Sequence, residues 1–177
     1  MITDEKISLI KPRPDLADEV RLALTESFAE HSKYLLWPVP YPSLADVRKN
    51  IEQAIYNFDN NSNEYRFFII RNSDSRLVGN ISLMIRDSKI PYFEFGYWVR
   101  SSEQGNGYIA KAVELLEAYA VTELRVRRLE IRMAESNVRS KLVAERAGYK
   151  FEAKLHSDRL LSDGSIENSL VYCKLYS

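Results

Sequence analysis

The sequence predicts a single α+β domain, and three observations predict it. Phe93-Glu94-Phe95-Gly96-Tyr97-Trp98-Val99-Arg100 is nearly continuous apolar and aromatic, as expected of a strand buried on both faces. Next comes Gln104-Gly105-Asn106-Gly107, a turn holding two of the chain's six glycines. Ile109, Ala112, Val113, Leu116, Tyr119 and Ala120 then recur at the spacing of an amphipathic helix. At 177 residues the chain is expected to be one domain over 1–177, long enough to bury a full core.

Taken in order, Ile7-Ser8-Leu9-Ile10 suits a first strand, ended by Pro12 and Pro14. Leu16 to Leu36 reads helical, with Leu16, Val20, Leu22, Leu24 and Phe28 apolar and acids near its start. In Leu36-Trp37-Pro38-Val39-Pro40-Tyr41-Pro42, alternating prolines hold the backbone extended and suit a stiff connector between helices. Ser43-Leu44-Ala45-Asp46 opens a second helix through about Phe58, which Asn60 to Asn63 break. Tyr65 to Arg71 and Leu77 to Arg86 are strands around a turn, and Asp87-Ser88-Lys89 turns into the central strand. Arg128 to Met133 alternates strictly, which predicts a half-exposed strand. Asn137 to Ala147 is a short helix stopped by Gly148. Tyr149 to Lys154 and Ser169 to Tyr176 complete the set, with turn chemistry at Asp163-Gly164. The order is β-α-α-β-β-β-α-β-α-β-β.

Bulk composition narrows the function. Lys plus Arg balance Asp plus Glu at 25 each, without the basic stripe of a general nucleic-acid binder. Cys173 is the single cysteine and the two histidines are far apart, so neither a disulfide framework nor a metal site is expected. No apolar run approaches the ~20 residues of a membrane span. Met1-Ile2-Thr3-Asp4-Glu5 does not open a signal peptide, and a cytoplasmic chain with no membrane partner is expected.

Strand, glycine turn, helix is a recipe for holding an anion. Glycines let the backbone approach a ligand, and the first helical N–H groups have no partner within the helix. A Walker loop is excluded because Tyr108 and Ile109 follow Gly107. A dinucleotide fingerprint survives on spelling, with Ala110 in its last position, but it asks for a βαβ unit where this chain shows hairpins.

Glu94-Phe95-Gly96-Tyr97-Trp98-Val99 followed by Gln104-Gly105-Asn106-Gly107-Tyr108-Ile109-Ala110 resembles the acetyl-CoA motif of the GNAT N-acetyltransferases. A second block, Asn137-Val138-Arg139-Ser140-Lys141 running to Glu145-Arg146-Ala147-Gly148-Tyr149, is similar to the RimJ/RimL branch that modifies ribosomal proteins. One position departs: Ser102 stands where the family often has Gln or Arg. The resemblance implies a mixed, mostly antiparallel sheet, splayed at its centre, with about four helices.

It also implies a site. Backbone N–H groups of Tyr97, Trp98 and Val99 would polarise the thioester, and Gln104, Gly105, Asn106, Gly107, Tyr108 and Ile109 would hold the diphosphate. Asn137 would contact the pantetheine arm, with Arg139 reaching a phosphate, and Trp37 and Tyr41 would wall the acceptor cleft. Acetyl transfer to an amine asks for an uncharged amine and a proton for the departing thiolate. Glu94, an acid in an apolar strand, is the candidate base or water-organiser, unless its side chain simply reaches solvent. Ser140 is the candidate proton donor, with Tyr172 the alternative. Asn137 equally suits a helix cap. His31 and His156 receive no role, and Cys173 reads as a small buried hydrophobe.

The activity expected is acetyl transfer from acetyl-CoA, without a metal, to a protein α-amine, by a monomer or homodimer. A polyamine or aminoglycoside acetyltransferase and a CoA-binding sensor without turnover are the rivals.

Overall fold

The computed structural model describes residues 1–35 and 40–177. Eight strands form one sheet in the order β1-β2-β3-β4-β5-β6-β8-β7. They are β1 (Ile2–Thr3), β2 (Ile7–Ile10), β3 (Glu64–Arg71), β4 (Leu77–Asp87), β5 (Tyr92–Val99), β6 (Arg128–Ala134), β7 (Lys150–Leu160) and β8 (Ile166–Leu175). The helices are α1 (Ala17–Glu26), α2 (Phe28–His31), α3 (Leu44–Asp59), α4 (Tyr108–Thr122) and α5 (Val138–Arg146). Every adjacent pair is antiparallel except β5 with β6. None of the described helices is long and apolar enough to cross a membrane.

The helix expected over Leu16–Leu36 is two helices, so that five are present among the described residues where about four are expected. The break is at Ser27, a fully buried residue whose φ of −99° and ψ of 3° leave the helical region. Its hydroxyl accepts the amide N–H of Ser101 at 3.0 Å, so a contact with a distant loop outweighs local helix preference. Leu36 itself lies outside the described residues. The strand expected to be half exposed, β6, instead buries Leu129, Glu130 and Ile131 in succession, because it lies inside the sheet. β1 is too short to show a period, and the polar residues of β7 hid its full length.

Alternation along β5 sends its side chains to two cores. Phe93 and Phe95 join Ile81, Leu83, Leu129 and Ile131 beneath Val113 and Leu116 of α4. On the opposite face Trp98 packs against Phe68, Ile70 and Leu77, which α1 and α3 cover with Val20, Val47 and Ile51. Burying a side chain of this size stabilises the fold by roughly 1.5–3 kcal/mol. Gly79 on β4 sits so close to β5 that a Cβ there would lie 2.4 Å from the Trp98 carbonyl oxygen.

The sheet opens at its middle. β5 pairs with β4 as far as Val99, but with β6 only from Tyr92↔Arg128 to Phe95↔Ile131. Past that point residues 96–99 and 132–134 part, while β6 continues along β8 to Ala134↔Ser169. The sheet is therefore splayed at the one parallel pair.

Candidate active site

The gap between β5 and β6 exposes a particular set of main-chain groups. The N–H of Arg100 donates to the Val78 carbonyl on β4. Since neighbours along a strand point their N–H and C=O to opposite sides, Trp98 and Gly96 also turn theirs to β4. Tyr97 and Val99 turn theirs to the gap. Of the three residues expected to polarise a thioester, Trp98 therefore has its main chain engaged by the sheet. Its ring instead lines a cleft on the far face.

The far end of the gap is held by His31, to which the sequence assigned nothing. Its ring is buried, its Nε2 bonds the Val99 carbonyl oxygen at 3.1 Å, and it lies 5.3 Å from the Trp98 ring, centre to centre. Burial pushes the imidazole below its ordinary value against the pull of that carbonyl, so the ring is neutral at pH 7. From the same segment the Tyr34 hydroxyl donates to the Ser136 carbonyl at 3.3 Å, and Glu30 meets Arg139 at 3.1 Å. The α2 region thus bridges the opening towards the start of α5.

Below the gap the glycine turn leads into α4. Gly105 and Gly107 adopt φ of +82° and +76°, which side-chain-bearing residues rarely do, and Gly107 is the N-cap of α4. No side chain caps that end and no acid stands in the first turn. The first N–H groups of Tyr108, Ile109 and Ala110 are left for an outside acceptor, and the helix dipole favours an anion there. The loop before it is tied down from beneath. Glu26 accepts from the Ser102 amide at 3.2 Å and its hydroxyl at 2.5 Å, and from Arg100 at 3.0 Å. Burial raises the Glu26 carboxyl, and those hydrogen bonds more than reverse it, holding it below the ordinary range. Buried Glu103 meets Arg71 at 2.8 Å and Arg76 at 3.3 Å. Ser102 thus helps to fix the loop through Glu26. A groove of about 640 Å³ follows the outer side of α4 and shares only Gly107 with this turn.

Two hydroxyls meet beside the gap. The Tyr97 hydroxyl and Ser140 Oγ are 2.8 Å apart, Ser140 being buried and Tyr97 half-buried. Burial pushes the Tyr97 phenol up to about 12 despite that hydrogen bond. Asn137 caps α5, its side-chain oxygen accepting the Ser140 N–H at 3.1 Å, so the spacing of three residues serves the helix start. Its amide nitrogen is not used by the cap. Tyr172 is buried with its hydroxyl donating to Glu145 at 3.1 Å, a separate bond from the Tyr97–Ser140 pair. Arg139 is largely exposed and occupied by Glu30.

Glu94 departs from both expectations. It is buried rather than solvent-reaching, and its carboxylate is not unpartnered, since Arg86 donates to it twice, at 2.9 and 2.5 Å. Arg132 approaches at 3.7 Å and connects to Glu130 at 3.0 Å, and Arg128 joins Glu130 to Glu152. Glu94 is one member of a row of alternating charges, with Arg86 and Arg132 both directed at its Oε2. Cys173 is buried and its thiol pushed up by burial, as a small packed side chain would be.

On the α1/α3 side of the sheet lies a cleft of about 560 Å³. Its floor is Asn80, Ser82, Gly96 and Trp98, with Phe68, Met84, Leu24 and Leu35 as apolar walls. Its charged lining is Asp46, Glu64 and Arg66, and Arg66 bonds both Glu64 and Asn50. Tyr97 and Trp98 line it too, so cleft and gap share one stretch of β5. Of the expected acceptor wall, Tyr41 is exposed and Trp37 lies outside the described residues.

This geometry, an opened parallel pair above an uncapped helix start, suits a ligand with an anionic group and an extended arm, and comparison with known proteins gives the class. Residues 6–150 match the model of the Acetyltransferase (GNAT) domain, and the chain belongs to the GNAT acetyltransferase family. Among curated relatives it is similar to Probable N-acetyltransferase YjcK of Bacillus subtilis (strain 168), 37% identical over 91 residues, half of each chain. It is also similar to the ribosomal-protein-serine acetyltransferase of Escherichia coli (strain K12), 30% identical over 129 residues, 73% of this chain and 70% of that one. The chain spans half the length of YjcK in that match. Its fold is shared with RimL, a ribosomal L7/L12 α-N-protein acetyltransferase solved with coenzyme A, at a TM-score of 0.90 and 19% identity over 97% of this chain and 95% of that one. The microcin C7 self-immunity acetyltransferase MccE, solved with acetyl-CoA and AMP, gives 0.89 at 24% identity over 98% and 94%.

Proposed function

We propose that this chain transfers the acetyl group of acetyl-CoA to the α-amine of a protein, a ribosomal protein being the leading acceptor. The observation that carries the reading is the divergence of β5 from β6 after Phe95↔Ile131, which leaves the N–H groups of Tyr97 and Val99 facing the gap beside a cleft. Those N–H groups are suited to the pantetheine arm and the developing oxyanion. The uncapped start of α4 suits the diphosphate, through Gln104, Gly105, Asn106, Gly107, Tyr108 and Ile109.

In the reaction the amine nitrogen attacks the thioester carbon, the carbon–sulphur bond breaks, and the proton lost by nitrogen ends on sulphur. Ser140 hands that proton on, with Tyr97 as its hydrogen-bond partner. A strong base is unnecessary for this acceptor. An α-amine titrates near 7.7–8, so part of it is neutral at pH 7, whereas a lysine near 10.4 is not. That suits a site in which Glu94 is already taken by Arg86.

Cleft charge separates this reading from its small-amine rival. Two acids and one arginine line the cleft, and the arginine is bonded to one of the acids. A polyamine or aminoglycoside carries several positive charges and calls for a more acidic lining. The similarity to a ribosomal-protein-serine acetyltransferase supports the same choice. The test is free-thiol release from acetyl-CoA with peptides bearing a free α-amine, N-blocked lysine peptides, a polyamine and an aminoglycoside. Release with α-amine peptides, and one acetyl group added at residue one, is expected. Release only with the polycations, or with none of these, contradicts the proposal.

A further inference from the structure

The floor of the cleft holds a polar group that the fold leaves unanswered. Asn80 lies in the interior of the sheet, its register partners being Phe68 on β3 and Trp98 on β5, and it is only 7% exposed. Its polar neighbours on that face have partners: Ser82 Oγ donates to the Gly96 carbonyl at 3.5 Å, and Arg66 bonds Asn50 at 2.5 Å. The Asn80 amide bonds no other described residue, and what remains accessible of it opens into the cleft. An amide at the floor of a largely apolar cleft, bonded to no described residue, is placed to bond whatever enters.

We infer that Asn80 is an acceptor-binding residue that reads the first peptide unit of the polypeptide being acetylated. The inference rests on the reading of the cleft as a protein α-amine site and adds how that amine is recognised. An asparagine amide presents one accepting oxygen and a donating nitrogen, the complement of a peptide N–H and C=O. A simple amine offers donors alone and leaves the Asn80 nitrogen buried and unpaired. Sites built around a buried polar group reject ligands that cannot answer it far more strongly than apolar pockets reject a size change. Phe68, Met84 and Trp98 beside it supply the dry surroundings in which that difference counts. The substrate class is therefore an amine with an amide next to it, a chain N-terminus rather than an alkylamine.

The experiment compares the full chain with Asn80→Ala and the isosteric Asn80→Asp, which keeps accepting oxygens and loses the donor. Thiol release is followed with a short α-amine peptide and with propylamine, and acetyl-CoA affinity is measured on each protein by calorimetry. The expected result is a KM for the peptide raised roughly tenfold to a hundredfold in both variants, the range for one buried group left unpaired. kcat/KM for propylamine does not fall in either variant, since it makes no use of the Asn80 donor, and the affinity for acetyl-CoA stays unchanged. Should alanine unsettle the sheet, seen as lost acetyl-CoA affinity, the aspartate variant carries the comparison. Equal losses with both acceptors, or no loss with the peptide, overturn the role of Asn80 alone. A wild-type chain that acetylates propylamine and no peptide overturns the functional reading, and this role with it.

Discussion

Removing the Ser140 hydroxyl isolates the proton-transfer step from binding. Ser140→Ala is expected to lower kcat by about 10²-fold in steady-state thiol release, with KM for acetyl-CoA within a few-fold. An unchanged kcat would remove Ser140 from the reaction. His31 makes a prediction about stability instead. Its folded pKa lies below the ordinary imidazole value of 6.5, so the unfolded chain binds the extra proton first as pH falls. The contribution of neutral His31 is full above 6.5 and is lost as pH drops below it. Urea midpoints should therefore fall between pH 7 and pH 5 in the wild type and fall less in His31→Gln; parallel curves would contradict this. Ser140 and Asn137 were legible because their pairing lies within one helical turn. His31 was not, since its partner is a backbone carbonyl 68 positions away, which no side-chain motif records. The pairing of Glu94 was hidden for a related reason. An acid in an apolar strand is visible, but Arg86 meets it only once β4 and β5 pair.

At the scale of elements, the glycine turn before α4 depends on backbone shape that other residues resist. Gly107 holds φ of +76° with open space around a would-be Cβ, so Gly107→Ala tests strain without a clash. A loss of about 1–2 kcal/mol on chemical denaturation is expected, together with a weaker affinity for acetyl-CoA. A variant as stable and as tight as the wild type would show that the turn need not be left-handed. The loop before it relies on Glu26, which gathers Ser102 and Arg100. Glu26→Ala should raise the dissociation constant for acetyl-CoA several-fold while leaving KM for a peptide acceptor alone; an equal change in both would place Glu26 in the cleft's support instead. Most elements were legible because apolar period and glycine or proline punctuation agree along this chain. The break at Ser27 was not, because its cause is the Ser101 amide on another loop. The burial of β6 was also hidden, since Glu130 reads as a solvent-facing residue until Arg128 and Arg132 close on it.

For the molecule as a whole, one parallel pair in an otherwise antiparallel sheet creates the site. Its β5 strand serves both sides: Tyr97 and Val99 face the gap with their main chain, while Trp98 and Gly96 floor the cleft on the α1/α3 side. Donor and acceptor would then meet across a single strand, with neither helix layer in the way. The order of elements made this architecture legible, but the exact point of divergence was not, because the register of β5 against β6 depends on packing from both layers. Residue-resolved amide hydrogen exchange by NMR, with and without coenzyme A, tests that arrangement most directly. Binding should protect the amides of Tyr97, Val99, Tyr108, Ile109 and Ala110, and leave Gly96 and Trp98, already paired with β4, little changed. Protection confined to the outer groove along α4, with Tyr97 and Val99 still exchanging freely, would contradict the account.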